Sequence, residues 1–252
     1  MRSKNNLPNP LQRVLLSLLA PLIGGVVLST VVRAVSGAAA TGRAANVLLL
    51  GGIGVVAWLL GLRWYRLSGL GLRGGRPLYA GIGFATLGWL SFLFARFALV
   101  SLNPDETIGS GLGEPFVYLF LFEALSVQLW LFGLLFRSMA DWRGPLTAAF
   151  FSGILFGGIA SQIFTTSFFQ TGSSFFYFIM WGIFYGVIRL RTGSLLGMVI
   201  IQAMQILTAW YLFVPPLELA PEQFSRLYLV AGTVYLLLIW RLWPREEDDY
   251  RV

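Results

Sequence analysis

Apolar runs of about 20 residues dominate the chain, and this is the length at which a helix crosses the hydrocarbon core of a bilayer. Short stretches rich in Gly, Pro and charged residues separate the runs, as expected of turns between spans. The pattern predicts eight transmembrane helices, near residues 12–35, 45–66, 78–101, 116–140, 145–164, 173–190, 193–214 and 225–243. The predicted fold class is all-α, a polytopic transmembrane helical bundle in which residues 1–252 form one integral membrane domain.

Arginine and lysine are distributed unequally between the two sides of these predicted spans. One side has Arg2, Lys4, Arg13, Arg63, Arg66, Arg73, Arg76, Arg137, Arg143, Arg189, Arg191, Arg241, Arg245 and Arg251. The other side has Arg33, Arg43 and Arg226, together with Asp105, Glu106, Glu114, Glu218 and Glu222. Because short cytoplasmic loops are enriched in Lys and Arg, both termini are predicted to be cytoplasmic, in a plasma (inner) membrane.

Composition narrows the possible chemistry. The chain is 57% hydrophobic and 12% charged, which is far from the composition of soluble domains. It has no Cys and no His, so Cys nucleophiles, Ser-His-Asp triads, disulfides and thiolate or imidazole metal sites are excluded. The net charge of +7 is explained by membrane orientation and not by nucleic-acid binding. The predicted partners are the lipid bilayer and other integral membrane proteins; no nucleic acid, cofactor or metal is predicted.

Two ionisable residues fall inside predicted spans, Arg96 in the third and Glu123 in the fourth. Both lie near the same depth, roughly 8 and 10 Å from the outer ends at 1.5 Å per residue. Buried charges in membranes are costly and are either paired or functional. The favoured interpretation is a structural ion pair between neighbouring helices, and the alternative is a proton-relay or substrate role.

Several glycines recur four residues apart, a spacing that lets helix backbones approach closely in lipid. The pairs are Gly153 with Gly157, Gly182 with Gly186, and Gly193 with Gly197. Packing within the chain explains them, and dimerisation through one of these faces is the alternative.

Three segments resemble a known membrane-protein family. They are residues 127–137 with Gly144-Pro145, residues 152–157, and residues 191–202. Together they resemble the core of the CPBP family, the CAAX prenyl proteases and bacteriocin-processing proteins also called Abi. The resemblance covers about residues 115–210 and implies a helical membrane fold with an intramembrane endopeptidase ancestry.

The resemblance implies a catalytic site whose residues are replaced in this chain. Family members have the motifs E-E-x-x-x-R, F-x-x-x-H and H-x-x-x-N, which are thought to activate a water for peptide cleavage. In the register fixed by Gly133 and Gly144-Pro145, the positions of the first motif are taken by Val127, Gln128 and Phe132. Phe156 is kept, but Ala160 stands at its histidine, and Gln202 and Ile206 stand at the last histidine and the asparagine. A Gln amide or a Val methyl cannot act as a general base.

The sequence therefore favours a non-catalytic CPBP-fold protein that works by binding, as a subunit, assembly factor or adaptor of a membrane protein complex. The alternative is an active CAAX-type endopeptidase with a rearranged site around Glu123. A transporter is disfavoured because few polar residues lie within the spans and no inverted repeat is visible. If the register is correct, Gln128, Phe132, Phe156, Ala160, Gln202 and Ile206 should converge from three spans.

Overall fold

A computed structural model describes residues 7–36, 43–100, 111–163, 172–212 and 221–251, and these residues form eight long helices, a short 3-10 turn at Glu247–Asp249 and no strand. The helices are α1 (Pro10–Ser36), α2 (Arg43–Gly69), α3 (Arg76–Leu99), α4 (Gly113–Arg143), α5 (Pro145–Ile163), α6 (Gly172–Thr192), α7 (Leu196–Ile206, continued by Leu207–Leu212) and α8 (Pro221–Leu242). The prediction of an all-α bundle is confirmed. Arg2, Lys4, Asp105, Glu106 and Glu218, which entered the topology prediction, lie outside the described residues.

Seven helices within these described ranges are long and apolar enough to cross a membrane. The eighth, α7, has a shorter apolar stretch, Leu196–Ala209. Each helix coincides with one of the predicted apolar runs. An apolar run in hydrocarbon forms a helix because its backbone N–H and C=O groups must find their hydrogen-bond partners within the helix itself. The chain is therefore a multi-pass membrane protein.

Glycine and proline set the ends of the helices around the later spans. Gly144 ends α4 with a φ of 93°, and Pro145 begins α5 at the next residue. Gly193 has a φ of 68° directly after α6. These left-handed conformations favour glycine, and a proline in the first turn of a helix sacrifices no hydrogen bond.

Glycines bring α5 and α6 into backbone contact. A methyl group added at Gly153 would lie 2.7 Å from Ile183 Cα, and one at Gly157 would lie 2.6 Å from Ile179 Cα. A methyl group at Gly182 would collide with the carbonyl of Gly153. Packing within the chain, the favoured interpretation of these pairs, is thus confirmed.

The third glycine pair does not form a helix face. Gly193 lies in the turn before α7, and only Gly197 is helical. Gly197 packs against Gly81 of α3, where an added methyl group would lie 2.9 Å from the Gly81 Cα. The four-residue spacing was a misleading signal here because the turn interrupts the helix.

Helix α4 is the centre of the bundle. It packs against α1, α2, α5 and α7. Its membrane-spanning window is 78% buried inside the protein, compared with 28% for α1. Polar side chains on α4 are therefore enclosed by protein and not by lipid.

Candidate functional site

The middle of α4 is wound as a π-helix in two stretches, Leu119–Ser126 and Leu129–Leu135, between α-helical ends. A π-helical turn has an extra residue per turn and changes the direction of the side chains that follow it. Such turns are frequent at functional sites. The first stretch contains Glu123, the second contains Phe132, and Gln128 lies between the two.

Gln128 and Gln202 meet at the interface of α4 and α7. The Gln128 Nε2 donates a hydrogen bond to Gln202 Oε1 at 2.6 Å, and both side chains are completely buried. The Gln202 Nε2 donates in turn to the backbone carbonyl of Glu123 at 3.2 Å. The predicted convergence thus holds for these two residues, which are 74 positions apart in the chain. This bond satisfies the Gln128 Nε2 and the Gln202 Oε1, whereas the buried Gln128 Oε1 accepts no hydrogen bond from the described residues.

Aromatic rings occupy the space next to this amide pair along α4. The ring centroids of Phe132 and Phe156 are 5.7 Å apart, and Tyr185 of α6 lies 6.3 Å from Phe132 and 5.7 Å from Phe156. All three rings are buried. The structure thus brings Phe132 and Phe156 together from α4 and α5, and the rings of the cluster are tilted or edge-on to one another and not stacked face to face.

Three further positions singled out in the sequence are buried and apolar. Val127 on α4 is 2% exposed, Ala160 on α5 is 1% exposed, and Ile206 on α7 is 4% exposed. None of these side chains can transfer a proton or bind a metal. The six positions at which the resemblance expects catalytic residues therefore carry neutral, buried side chains.

Residues 110–208 match the model of the family described as type II CAAX prenyl endopeptidase Rce1-like. The chain has an Rce1-like domain at these residues. The match coincides with the core that the sequence resemblance places at about residues 115–210, so the family expectation is confirmed for this part of the chain. The amide pair and the aromatic cluster lie inside the Rce1-like domain. No curated protein matches the sequence.

Glu123 is part of the Rce1-like domain, and Arg96 lies outside it on α3. The Arg96 side chain is fully buried and the Glu123 side chain is 8% exposed. Both residues lie on helices that pack against α7. The ion pair between them stays a prediction, and the backbone contact with Gln202 places the Glu123 main chain next to the amide pair.

Arg189 is a buried cation of the Rce1-like domain that the sequence reasoning counted only as a loop charge. Its Nε donates to the carbonyl of Phe132 at 3.0 Å, its Nη2 donates to the carbonyl of Gly69 at 3.2 Å, and its Cζ lies 5.2 Å from the centroid of the Phe136 ring. The guanidinium thus ties α6 to α4 and to the end of α2. Its position two residues before Arg191 was the available signal, because residues two apart on a helix face different directions.

A second polar cluster joins α1, α2 and α4 at the end of the bundle that contains Arg13. The Arg13 Nη1 lies 2.7 Å from Asp141 Oδ2 and 2.8 Å from the Tyr65 hydroxyl. The Ser17 and Ser138 hydroxyls are 2.7 Å apart just beyond it. Asp141 is a carboxylate in an otherwise basic segment, and that contrast was the signal that could have identified it.

Proposed function

We propose that this protein is a non-catalytic member of the CPBP fold that works by binding another integral membrane protein, as a subunit, assembly factor or adaptor. The observation that carries the proposal is the hydrogen bond between Gln128 and Gln202. The resemblance expects a glutamate and a histidine at these two positions. A primary amide does not accept a proton near neutral pH, so it cannot serve as the base that activates water.

The packing around the pair supports the same proposal. Phe132 and Phe156 are in ring contact beside the amides, and both are completely excluded from solvent. Peptide hydrolysis needs room for a water and for the peptide carbonyl next to the base. Phe132 follows Gln128 by four residues on α4, so a buried aromatic cluster within one turn of the amide supports a filled site, since packed cores leave few voids larger than a water molecule.

The direct test is a cleavage assay on the purified full-length chain with prenylated peptides, with an active CAAX prenyl endopeptidase as the positive control. We expect no cleavage above background. Glu123→Gln and the matched control Glu222→Gln, which alters an exposed residue in the first turn of α8, should behave like the parent protein. Cleavage that disappears in Glu123→Gln but persists in Glu222→Gln would establish the alternative, a rearranged site around Glu123.

The binding role predicts a partner in the same membrane. Leu15, Leu19 and Val26 of α1 are each about half exposed, which leaves a long apolar face on the outside of the bundle. This face is suited to lipid and to the helices of another membrane protein, because both are apolar. Extraction in a mild detergent followed by identification of stoichiometric companions tests this, with Leu15→Ala/Leu19→Ala as a variant expected to reduce retention.

We further propose that the protein lies in the plasma (inner) membrane with both termini in the cytoplasm. The support is the excess of Arg and Lys in alternate loops, because short loops rich in these residues lie on the cytoplasmic side of a membrane. The backbone N–H of Arg251 donates to the carbonyl of Leu190, and Arg73 Nη1 donates to the carbonyl of Arg251, so these three basic segments share one end of the bundle. Reporter fusions after Arg76 and after Glu114 should report opposite sides, and equal reports would refute the topology.

A further inference from the structure

A cleft of about 190 Å³ at the end of α8 is lined by Trp240, Arg241, Trp243 and Arg245. The two arginines are four residues apart in the chain, and both are exposed. Trp240 is 77% exposed, whereas Trp243 packs on Phe150 with 5.3 Å between ring centroids. Two cations and two indole rings thus surround a small space just where the last span ends.

The segment after α8 is held in place, so the cleft is a defined feature of the fold. The Arg191 Nη1 donates to the carbonyl of Leu242 at 3.3 Å, and Arg191 lies 3.8 Å from Asp249. The backbone N–H of Arg245 donates to Asp249 Oδ2 at 3.2 Å. Asp249 is therefore engaged by Arg191 and by main chain, and within the part of the chain that the structure describes it is not a salt-bridge partner of the Arg245 guanidinium.

The location of the cleft indicates the depth of its ligand. Tryptophan concentrates at the membrane–water interface, where lipid phosphates and glycerol groups lie. Arginine side chains near helix ends extend to the same level, and their planar guanidinium groups bind phosphate in a bidentate manner. A lipid phosphate is the anion present at that depth at high local concentration.

The residues after Arg245 restrict the choice of headgroup. Glu246 and Asp248 are exposed and follow the cleft directly in the chain. At distances shorter than the Debye length of roughly 8 Å, these carboxylates would repel a headgroup of net negative charge. They would attract an ammonium group attached to the phosphate.

We infer that this cleft binds a phospholipid with a primary ammonium headgroup, of the phosphatidylethanolamine class. Arg241 and Arg245 hold the phosphate, Trp240 and Trp243 flank the glycerol region, and Glu246 and Asp248 attract the ammonium. This inference does not depend on whether the protein cleaves peptides. It concerns a site on α8 outside residues 110–208, which match the Rce1-like family.

The test is a lipid titration of the detergent-solubilised full-length protein, followed by native mass spectrometry. Phosphatidylethanolamine, phosphatidylglycerol and phosphatidylcholine with identical acyl chains are compared. A hydrogen bond to a charged group contributes about ten-fold or more in affinity, so Arg241→Gln/Arg245→Gln should weaken phosphatidylethanolamine binding by at least about ten-fold. The matched control, Arg63→Gln/Arg76→Gln, removes two exposed arginines outside the cleft and should bind like the parent.

A second variant keeps the arginines and changes only the headgroup preference. Glu246→Gln/Asp248→Asn should bind phosphatidylglycerol more tightly than the parent does, while losing affinity for phosphatidylethanolamine. An equal loss in the Arg63→Gln/Arg76→Gln control would overturn the site, because it would reflect net charge alone. The headgroup assignment would be overturned if the parent protein bound phosphatidylglycerol or phosphatidylcholine as tightly as phosphatidylethanolamine. Displacement of the lipid by inorganic phosphate at millimolar concentration would also overturn it.

Discussion

The hydrogen bond between Gln128 and Gln202 should make the two residues energetically dependent on each other. We consider Gln128→Leu, Gln202→Leu and the double variant, since leucine has a similar size and no polar atoms. Gln128→Leu removes the donor to Gln202 Oε1 but leaves the bond from Gln202 to the Glu123 carbonyl. Gln202→Leu removes both bonds and strands the Gln128 Nε2. Gln202→Leu should therefore be the more destabilising single change.

The size of the coupling follows from the setting of the bond. An unsatisfied buried polar group costs about 1–3 kcal/mol, but hydrogen bonds between membrane helices average about 0.6 kcal/mol with a maximum of about 1.7. The pair is fully buried and short, at 2.6 Å, so the upper half of that range applies. The loss of unfolding free energy in the double variant should therefore be smaller than the sum of the two single losses by about 1–1.7 kcal/mol.

Reversible unfolding in mixed micelles of a mild detergent and sodium dodecyl sulfate measures these free energies. The control combines Gln128→Leu with Ser225→Ala, since the Ser225 hydroxyl bonds to Ser173, 2.8 Å away between α6 and α8. This combination should be additive to within about 0.5 kcal/mol. Additivity of the two glutamine variants, or a larger loss in Gln128→Leu than in Gln202→Leu, would refute the assignment of the bond.

Two further predictions concern packing outside the amide pair. Asp141→Asn should lower the free energy of unfolding by about 0.5–1 kcal/mol, because the partly exposed Arg13 loses its charged partner. The control Asp248→Asn, at an exposed site, should have no effect in the same unfolding assay. Equal effects of the two variants would contradict the role of the ion pair. Gly182→Ala should lower the free energy of unfolding by about 1–3 kcal/mol, because its methyl group would collide with the α5 backbone. The control Gly158→Ala faces open space and should be neutral or stabilising. A tolerated Gly182→Ala would mean that α5 and α6 are less closely packed.

The helices could be predicted closely because the bilayer imposes a simple length rule on apolar runs. The run near 116–140 became α4 at Gly113–Arg143, and the run near 145–164 became α5 at Pro145–Ile163. The contact between Gln128 and Gln202 was also predictable, since the family register ties the two positions together even without catalytic residues. Cores retain volume and pattern after reactive groups are lost.

Other parts of the site were not accessible from the sequence. The two π-helical stretches of α4 leave no mark in the apolar pattern, because a helix that is apolar on all sides has no periodicity to disturb. The burial of Arg189 was missed for a related reason. Charge counting treats an arginine near a span end as a loop residue. The two-residue spacing from Arg191 indicated that one of the two arginines faces inward, and the contact with the Phe132 carbonyl shows that it is Arg189.

The polar side chains at the centre of the domain have a structural explanation that is independent of catalysis. Gln202 donates to the carbonyl of Glu123, and Arg189 donates to the carbonyl of Phe132. Both carbonyls belong to the π-helical stretches of α4. A wider helical turn changes the internal hydrogen bonds of the backbone, and every polar backbone group inside a membrane bundle needs a partner.

This arrangement changes how the remaining polarity of the site should be interpreted. A protein without the family's catalytic glutamates and histidines would still need donors for the α4 carbonyls, so a polar residue at Gln202 and a cation at Arg189 would be favoured for folding alone. Buried polarity at an inherited site is then no evidence of activity. Replacing Arg189 with methionine should accordingly destabilise the fold by about 2 kcal/mol or more, through the loss of two charge-assisted hydrogen bonds, while Arg143→Met at an exposed site should not. A stable Arg189→Met protein would show that the α4 carbonyls need no such donors. The buried polar residues Gln202 and Arg189 would then require a functional explanation.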